Sequence, residues 1–270
     1  MLFLLFAAAF LAAPAAAEQY SRGLKKEIVW HPGRRIVVEE VAGGIEVRGV
    51  KSEKVEIGGL LTVEAKTLEK ARAESGKLEM EVTSTRNEIR IVAKRPRNWR
   101  GVRGWIDYDI KVPLEALLIL KTVSGDIRVI GSDGTIHANS VSGDIHIRGS
   151  SGNMEVRAVS GNVRLKNCPG DAVAETVSGG IQYDATEVDA KTITLRSTGG
   201  GVHAVFPPDF SATVQIVTVS GKIRSDLPLK TTREEKKVLK GVLGSGGADL
   251  RISTVSGSIT VSTSGVEEDG

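Results

Sequence analysis

The chain carries a single cysteine, Cys168, in 270 residues. No disulfide can close within one copy, and no cysteine-based zinc cluster can form. Aromatic residues make up only 4 %, which argues against one large globular core. An excess of one charge sign is missing too. Lys and Arg number 36 against 33 Asp and Glu, for a formal net charge of +3. Nothing global demands a nucleic-acid partner. After residue 17 there is no long apolar run, so no transmembrane span is expected in the mature chain.

What is present is glycine, 31 residues of it, which suits many short strands and tight turns. The chain begins "MLFLLFAAAFLAAPAAA". This run is uncharged and ends in an A-x-A pattern, so 1–17 reads as a secretory signal peptide. It lacks a basic n-region, and the alternative is a membrane anchor. With export, the periplasm, cell surface or extracellular space is the expected location.

A repeat dominates the rest. V-S-G recurs at Val123, Val141, Val159, Val177, Val219 and Val255, with a degenerate copy at Thr198. The steps are 18, 18, 18, 21, 21 and 36 residues. Three and five residues before each reference position every copy is apolar, from Leu120 and Leu118 to Ile252 and Leu250. Four residues after it stand Ile127, Ile145, Val163, Ile181, Val202, Ile223 and Ile259. Apolar residues spaced by two mark short strands with one buried side. A single period cannot bury that side alone, but stacked periods can. The expected fold is all-β: a parallel β-solenoid (β-helix) of about seven rungs over 114–262, followed by a flexible tail, 263–270. Each rung would supply about five inward side chains, at about 1.5–3 kcal/mol for each well-buried aliphatic residue.

Residues 18–113 read as a β-rich N-terminal portion that caps or continues the solenoid, with one short helix in "TLEKARAES", 67–75. Within it "VAGGIEVRG", from Val41, resembles a rung without the serine. The long final step contains an insertion, 225–247, which should loop out from a corner, with a helical turn in "TREEKKVLK".

Several features invite a chemical reading. The serines Ser124, Ser142, Ser160, Ser178, Ser220 and Ser256 have no repeating histidine beside them, and a nucleophile needs a base. They read as a corner, where glycine takes positive φ and stacked hydroxyls satisfy backbone groups. Asp126, Asp144 and Asn162 share one position, but that series continues Gly180, Gly201, Lys222 and Ser258. A calcium ladder would not hold a lysine. His31, His137, His146 and His203 lack ligand spacing. No metal and no cofactor are expected, and no catalytic residue.

Two basic features remain. Five residues after the reference position come Arg128, His146, Arg164, His203 and Arg224, a stripe along one outer face. It suits an anionic polymer, or a merely solvated face. It lacks the interleaved aromatics of single-strand nucleic-acid binders. The denser patch is "AKRPRNWRGVRGW", 93–105, where Lys94, Arg95, Arg97, Arg100 and Arg103 surround Trp99. Basic plus aromatic residues in a loop suit an anionic surface, with a plain hairpin loop as the alternative.

The "TVSGDI" repeats, "IDYDIKVP" before them and the late "GVLGSGGADLRISTVSGSITV" resemble a bacterial family of exported proteins. That family carries an adhesin-type domain of unknown function, called toastrack-like. The resemblance covers 105–262 closely and 34–104 loosely. It implies a β-solenoid at the cell envelope with no established catalytic site. The expectation is a non-enzymatic, secreted or envelope-located repeat protein acting as an adhesin-like or scaffold module. Its partner would be an envelope component such as a polysaccharide or an anionic surface. The alternatives are a carbohydrate-active enzyme on a β-helix, which would need clustered acids, and an accessory module in envelope-stress signalling.

Overall fold

The computed structural model describes residues 17–264. The expected signal peptide, save Ala17, and the tail from 265 onward lie outside the described residues. Strands dominate, with one helix, Leu68–Ser75, among the described residues. They form two sheets, of eleven strands (sheet I) and twelve (sheet II). Inward side chains of both sheets merge in one core.

Each repeat period adds one strand to each sheet. Ile136–Ser140 joins sheet II and Ile145–Arg148 joins sheet I. Rungs stack in register: Ile136 lies beside Leu118 and Met154, and Ile145 beside Ile127 and Val163. Ile136, Ala138, Ile145 and Ile147 are all buried, while the residues between them face outward. The 18-residue period thus brings the same inward set to every rung.

The solenoid is longer than the V-S-G repeats alone indicate. Nine successive strands of each sheet are parallel, giving nine rungs. One added rung is Arg35–Glu39 with Ile45–Val50, which contains "GGIEVRG". The other is Glu88–Lys94 with Val102–Pro113. The N-terminal portion therefore both continues and caps the solenoid.

Spatial order departs from chain order at both ends. The 88–113 rung lies outside the 35–50 rung, which itself abuts Leu117–Thr122 and Ile127–Ile130. At the far end Ala248–Thr254 slots between Thr192–Ser197 and Ala212–Thr218. The last repeat in sequence is the penultimate rung in space. The insertion 225–247 explains this, and it does not form a helical turn. Leu229–Glu235 and Val238–Leu243 make a hairpin that pairs antiparallel with Ala212–Thr218 and occupies the outer edge. The returning chain then fills the inner gap. The hairpin covers an edge that would otherwise template further pairing.

Long antiparallel strands Glu18–Val29 and Lys54–Ala65 close sheet I at the other end, and Glu79–Ser84 closes sheet II. The helix packs on the two long strands, burying Ala71 and Ser75. Its N-cap is Thr67, whose hydroxyl accepts the Lys70 N–H at 3.3 Å.

Candidate functional site

The V-S-G corner is structural, for reasons only partly those its composition suggests. None of its glycines has positive φ. Left-handed backbone falls instead at the opposite corner, at Gly131, Gly149 and Asn167. The V-S-G glycines stack directly on one another. A Cβ on Gly143 would lie 2.1 Å from the Gly125 carbonyl oxygen, and one on Gly161 equally close to that of Gly143. Glycine is demanded here by the approach of neighbouring backbones, not by dihedral freedom.

The hydroxyls that tie rungs together are not those of the V-S-G serines, which are exposed. They lie two residues earlier, on the inward side. Thr176 Oγ1 donates to the Gly161 carbonyl at 2.9 Å, Ser197 Oγ to Gly179 at 2.8 Å, and Thr254 Oγ1 to Gly200 at 2.8 Å. All three are buried. The valine that begins the motif is outside, between 43 % exposed at Val123 and 63 % at Val219.

The acidic position forms a ladder of its own. Asp126 Oδ1 accepts the Asp144 N–H at 2.9 Å, Asp144 Oδ1 accepts that of Asn162 at 2.8 Å, and Asn162 Oδ1 accepts that of Gly180 at 2.9 Å. Any short side-chain oxygen serves, so the position tolerates Asn. Partial burial acts to raise the Asp144 carboxyl, but hydrogen bonds from Asn162 and the nearby Arg164 and His146 outweigh it, leaving the pKa below the usual carboxylate value. Among the described residues no group of three or more His, Cys, Asp or Glu side chains is placed to hold a metal ion. Cys168 is buried, and desolvation raises its thiol pKa.

The basic loop divides in two. It is the corner of the 88–113 rung, joining its two strands in place of a V-S-G turn. Arg95 donates at 2.9 Å to Glu40, whose carboxyl is fully buried and also accepts the N–H groups of Val41 and Ala42. Desolvation raises the pKa of Glu40 despite these bonds. Trp99 covers Gly104 and donates to Glu74 at 2.7 Å. These two residues anchor the loop. Lys94 approaches Glu81 at 3.8 Å, while Arg97, Arg100 and Arg103 are exposed.

The stripe lies on the outer face of sheet I, in the order Arg128, His146, Arg164, Gln182, His203, Thr260, Arg224. Sequence reasoning missed a second row two residues further along, where Arg148 and Lys166 stand side by side and exposed Ile130 precedes them. Period-two alternation would have found it.

Both outer faces pair charges across rungs, and they differ in what is left over. On sheet II cations and carboxylates alternate between rungs: Arg35 with Glu88, Lys121 with Glu39, Arg157 with Glu175, Arg196 with Glu175. That face neutralises itself. On sheet I Arg48 meets Asp109 at 2.8 Å, Arg128 meets Glu46 at 3.6 Å, Arg164 meets Asp144 at 3.3 Å and Lys166 meets Asp184 at 3.5 Å. Arg148 has no carboxylate partner among the described residues.

Sheet I is also hollowed. A concavity of about 280 Å³ is lined by Arg128, Ile130, His146, Arg148, Arg164 and Lys166, with the carboxylate of Asp184 also in its wall. A second, of about 300 Å³, shares Arg164 and Gln182 with it and runs on past Gly180 and Gly201 to His203 and Thr260. The acidic ladder ends at those two glycines, and their missing side chains leave a notch between Asn162 and Ser258.

The family model described as Toastrack DUF4097 matches residues 70–262. No curated protein matches the chain. Among solved structures, it is similar to a "putative cell adhesion protein" of Clostridium sporogenes, with 10 % identity and a TM-score of 0.38, over 90 % of this chain and 100 % of that one. A "putative adhesin" of Bacteroides fragilis has 13 % identity and a TM-score of 0.43, over 89 % and 97 %. A "putative lipid binding protein" of Parabacteroides distasonis has 13 % identity and a TM-score of 0.31, over 89 % and 96 %.

Proposed function

Because the chain belongs to the Toastrack DUF4097 family, a domain of unknown function, we propose that it works as an exported, non-enzymatic interaction module of the cell envelope. The observation that carries this reading is the contrast between its two outer faces. Both sheets pair charges between rungs, but only sheet I joins this to a hollowed face where one arginine, Arg148, has no carboxylate partner among the described residues. A rigid scaffold with one such face is suited to holding a partner.

Glu40 and Asp144 are ill placed to serve as the general acid of glycoside hydrolysis. A general acid needs a raised pKa and access to substrate. Glu40 has a raised pKa but a fully buried carboxyl. Asp144 is accessible but its pKa is lowered, and its oxygens serve the next rung. Among the described residues no helix is long and apolar enough to cross a membrane.

Cell fractionation of the tagged full-length chain, with N-terminal sequencing, tests the reading. Recovery from the periplasm or surface with a new N-terminus near Glu18 is expected. Recovery from the cytoplasm with Met1 intact would overturn it. The exposed arginines of the loop extend the reading: Arg97, Arg100 and Arg103 are a secondary contact, and their triple alanine variant should recover less envelope material than wild type.

A further inference from the structure

We propose that the groove on the outer face of sheet I binds a linear anionic polysaccharide, with Arg148 at its cationic end as the main anchor; this rests on the reading of the protein as an envelope interaction module. The shape comes first. Two concavities of about 280 and 300 Å³ are joined through Arg164 and Gln182 and run across the strands. They span the strands from Ile127–Ile130 to Ile259–Thr263. At about 4.8 Å per strand, the six strands extend over about 24 Å. That is a channel for a chain, not a cup for one small molecule.

The chemistry changes along it. At one end Arg128, Arg148, Arg164 and Lys166 bring four full positive charges to neighbouring positions. Arg128, Arg164 and Lys166 each have one carboxylate nearby, Glu46, Asp144 and Asp184, and Arg148 has none among the described residues. An arginine fork left free in a concave site fits a carboxylate, sulfate or phosphate group. At the other end the lining is neutral and polar, with Asn162, Gln182, Ser258 and Thr260 around the glycine notch. Amide and hydroxyl groups suit sugar hydroxyls, and bare backbone at Gly180 and Gly201 lets a ring approach closely. Ile130, 37 % exposed, offers an apolar spot beside the cations.

Other polyanions fit less well. The lining holds no Phe, Tyr or Trp on which nucleobases could stack. A flat membrane surface cannot follow a groove between rows of side chains, and no aromatic stands ready to insert at its rim.

The test measures binding of purified protein to polygalacturonate, dextran sulfate, neutral dextran and anionic phospholipid vesicles. Three variants are compared with wild type. Arg148→Glu reverses the anchor. Gly180→Asn fills the notch with the residue that already occupies this ladder position at Asn162, and its Cβ would meet nothing nearer than 3.4 Å. Arg157→Ala removes a cation of the opposite face as a control. Wild type should bind one or both anionic glycans but not neutral dextran. Arg148→Glu should weaken that binding about tenfold or more, as for loss of a charge-assisted pair. Gly180→Asn should weaken it severalfold, and Arg157→Ala should match wild type, all with unchanged melting curves. Binding only to vesicles, an equal loss in Arg157→Ala, or no glycan bound would each overturn the proposal. Localisation to the envelope would survive those results, so the two readings fail separately.

Discussion

Replacing Gly143 by alanine tests the central claim about the repeat. The added methyl would sit 2.1 Å from the Gly125 carbonyl oxygen, against about 3.5 Å for a relaxed contact. The obstacle is backbone of the next rung, so no side chain can swing away. Opening the corner by more than 1 Å would also stretch the bonds that hold it, including Ser142 N–H to Val123 at 2.7 Å. Overpacking costs about 1–3 kcal/mol, and each weakened bond about 0.5–1.5 kcal/mol. A loss of about 3 kcal/mol follows, or about 6–12 °C in melting temperature for a chain of this size. Two comparisons isolate the cause. Gly149 has φ +61° and open space around it, so alanine there pays only for the left-handed backbone, about 1–2 kcal/mol. Gly76 ends the helix at φ −69° in open space, so alanine should stabilise by about 0.4–1 kcal/mol. Thermal melts followed by circular dichroism should rank Gly76→Ala above wild type, then Gly149→Ala, then Gly143→Ala. A Gly143→Ala melt at or above that of Gly149→Ala would refute the stacking argument.

Three further outcomes are expected. Ala158 is buried where neighbouring rungs carry Ser140 and Thr176; Ala158→Ser should restore the missing donor and raise stability by about 0.5–1.5 kcal/mol, read by urea denaturation. The pKa of Glu40 is raised above 4.5 in the fold, so the native state holds more protons than the unfolded chain just above pH 4.5. Stability from this group is therefore present below that pH and is lost as pH rises through the folded value. Melts of Glu40→Gln and wild type across that range should move in the variant's favour with rising pH, and a constant difference would contradict the assignment. Trp99→Ala should cost about 2 kcal/mol through lost packing over Gly104, whereas the triple alanine variant of Arg97, Arg100 and Arg103 should melt like wild type.

Much of the architecture could be read along the chain, because an 18-residue period with period-two alternation has few physical realisations. Leu118, Leu120 and Ile127 pointed inward and Arg128 outward, and they do. The same parity marks Thr122 as inward, so the buried hydroxyl row was within reach; attention to the polar V-S-G serines concealed it. The series Asp126, Asp144, Asn162, Gly180, Gly201 was visible too. That its two glycines form a notch required knowing that positions 18 and 21 residues apart lie on adjacent strands of one face.

The amino-acid sequence by itself determined the rung: which residues face the core, where the corners fall, and which rows run down each outer face. These follow from local alternation and a fixed period, and every copy repeats them. The tertiary structure alone decided the order of the rungs at both ends, the cap made by the 229–243 hairpin, and the division of the basic loop into anchors and free arginines. Those depend on which distant strands pair and which buried carboxylate an arginine finds, and no periodicity encodes either. Tertiary structure also left Arg148 without a carboxylate while Arg128, Arg164 and Lys166 beside it each found one, because pairing depends on neighbours from other rungs.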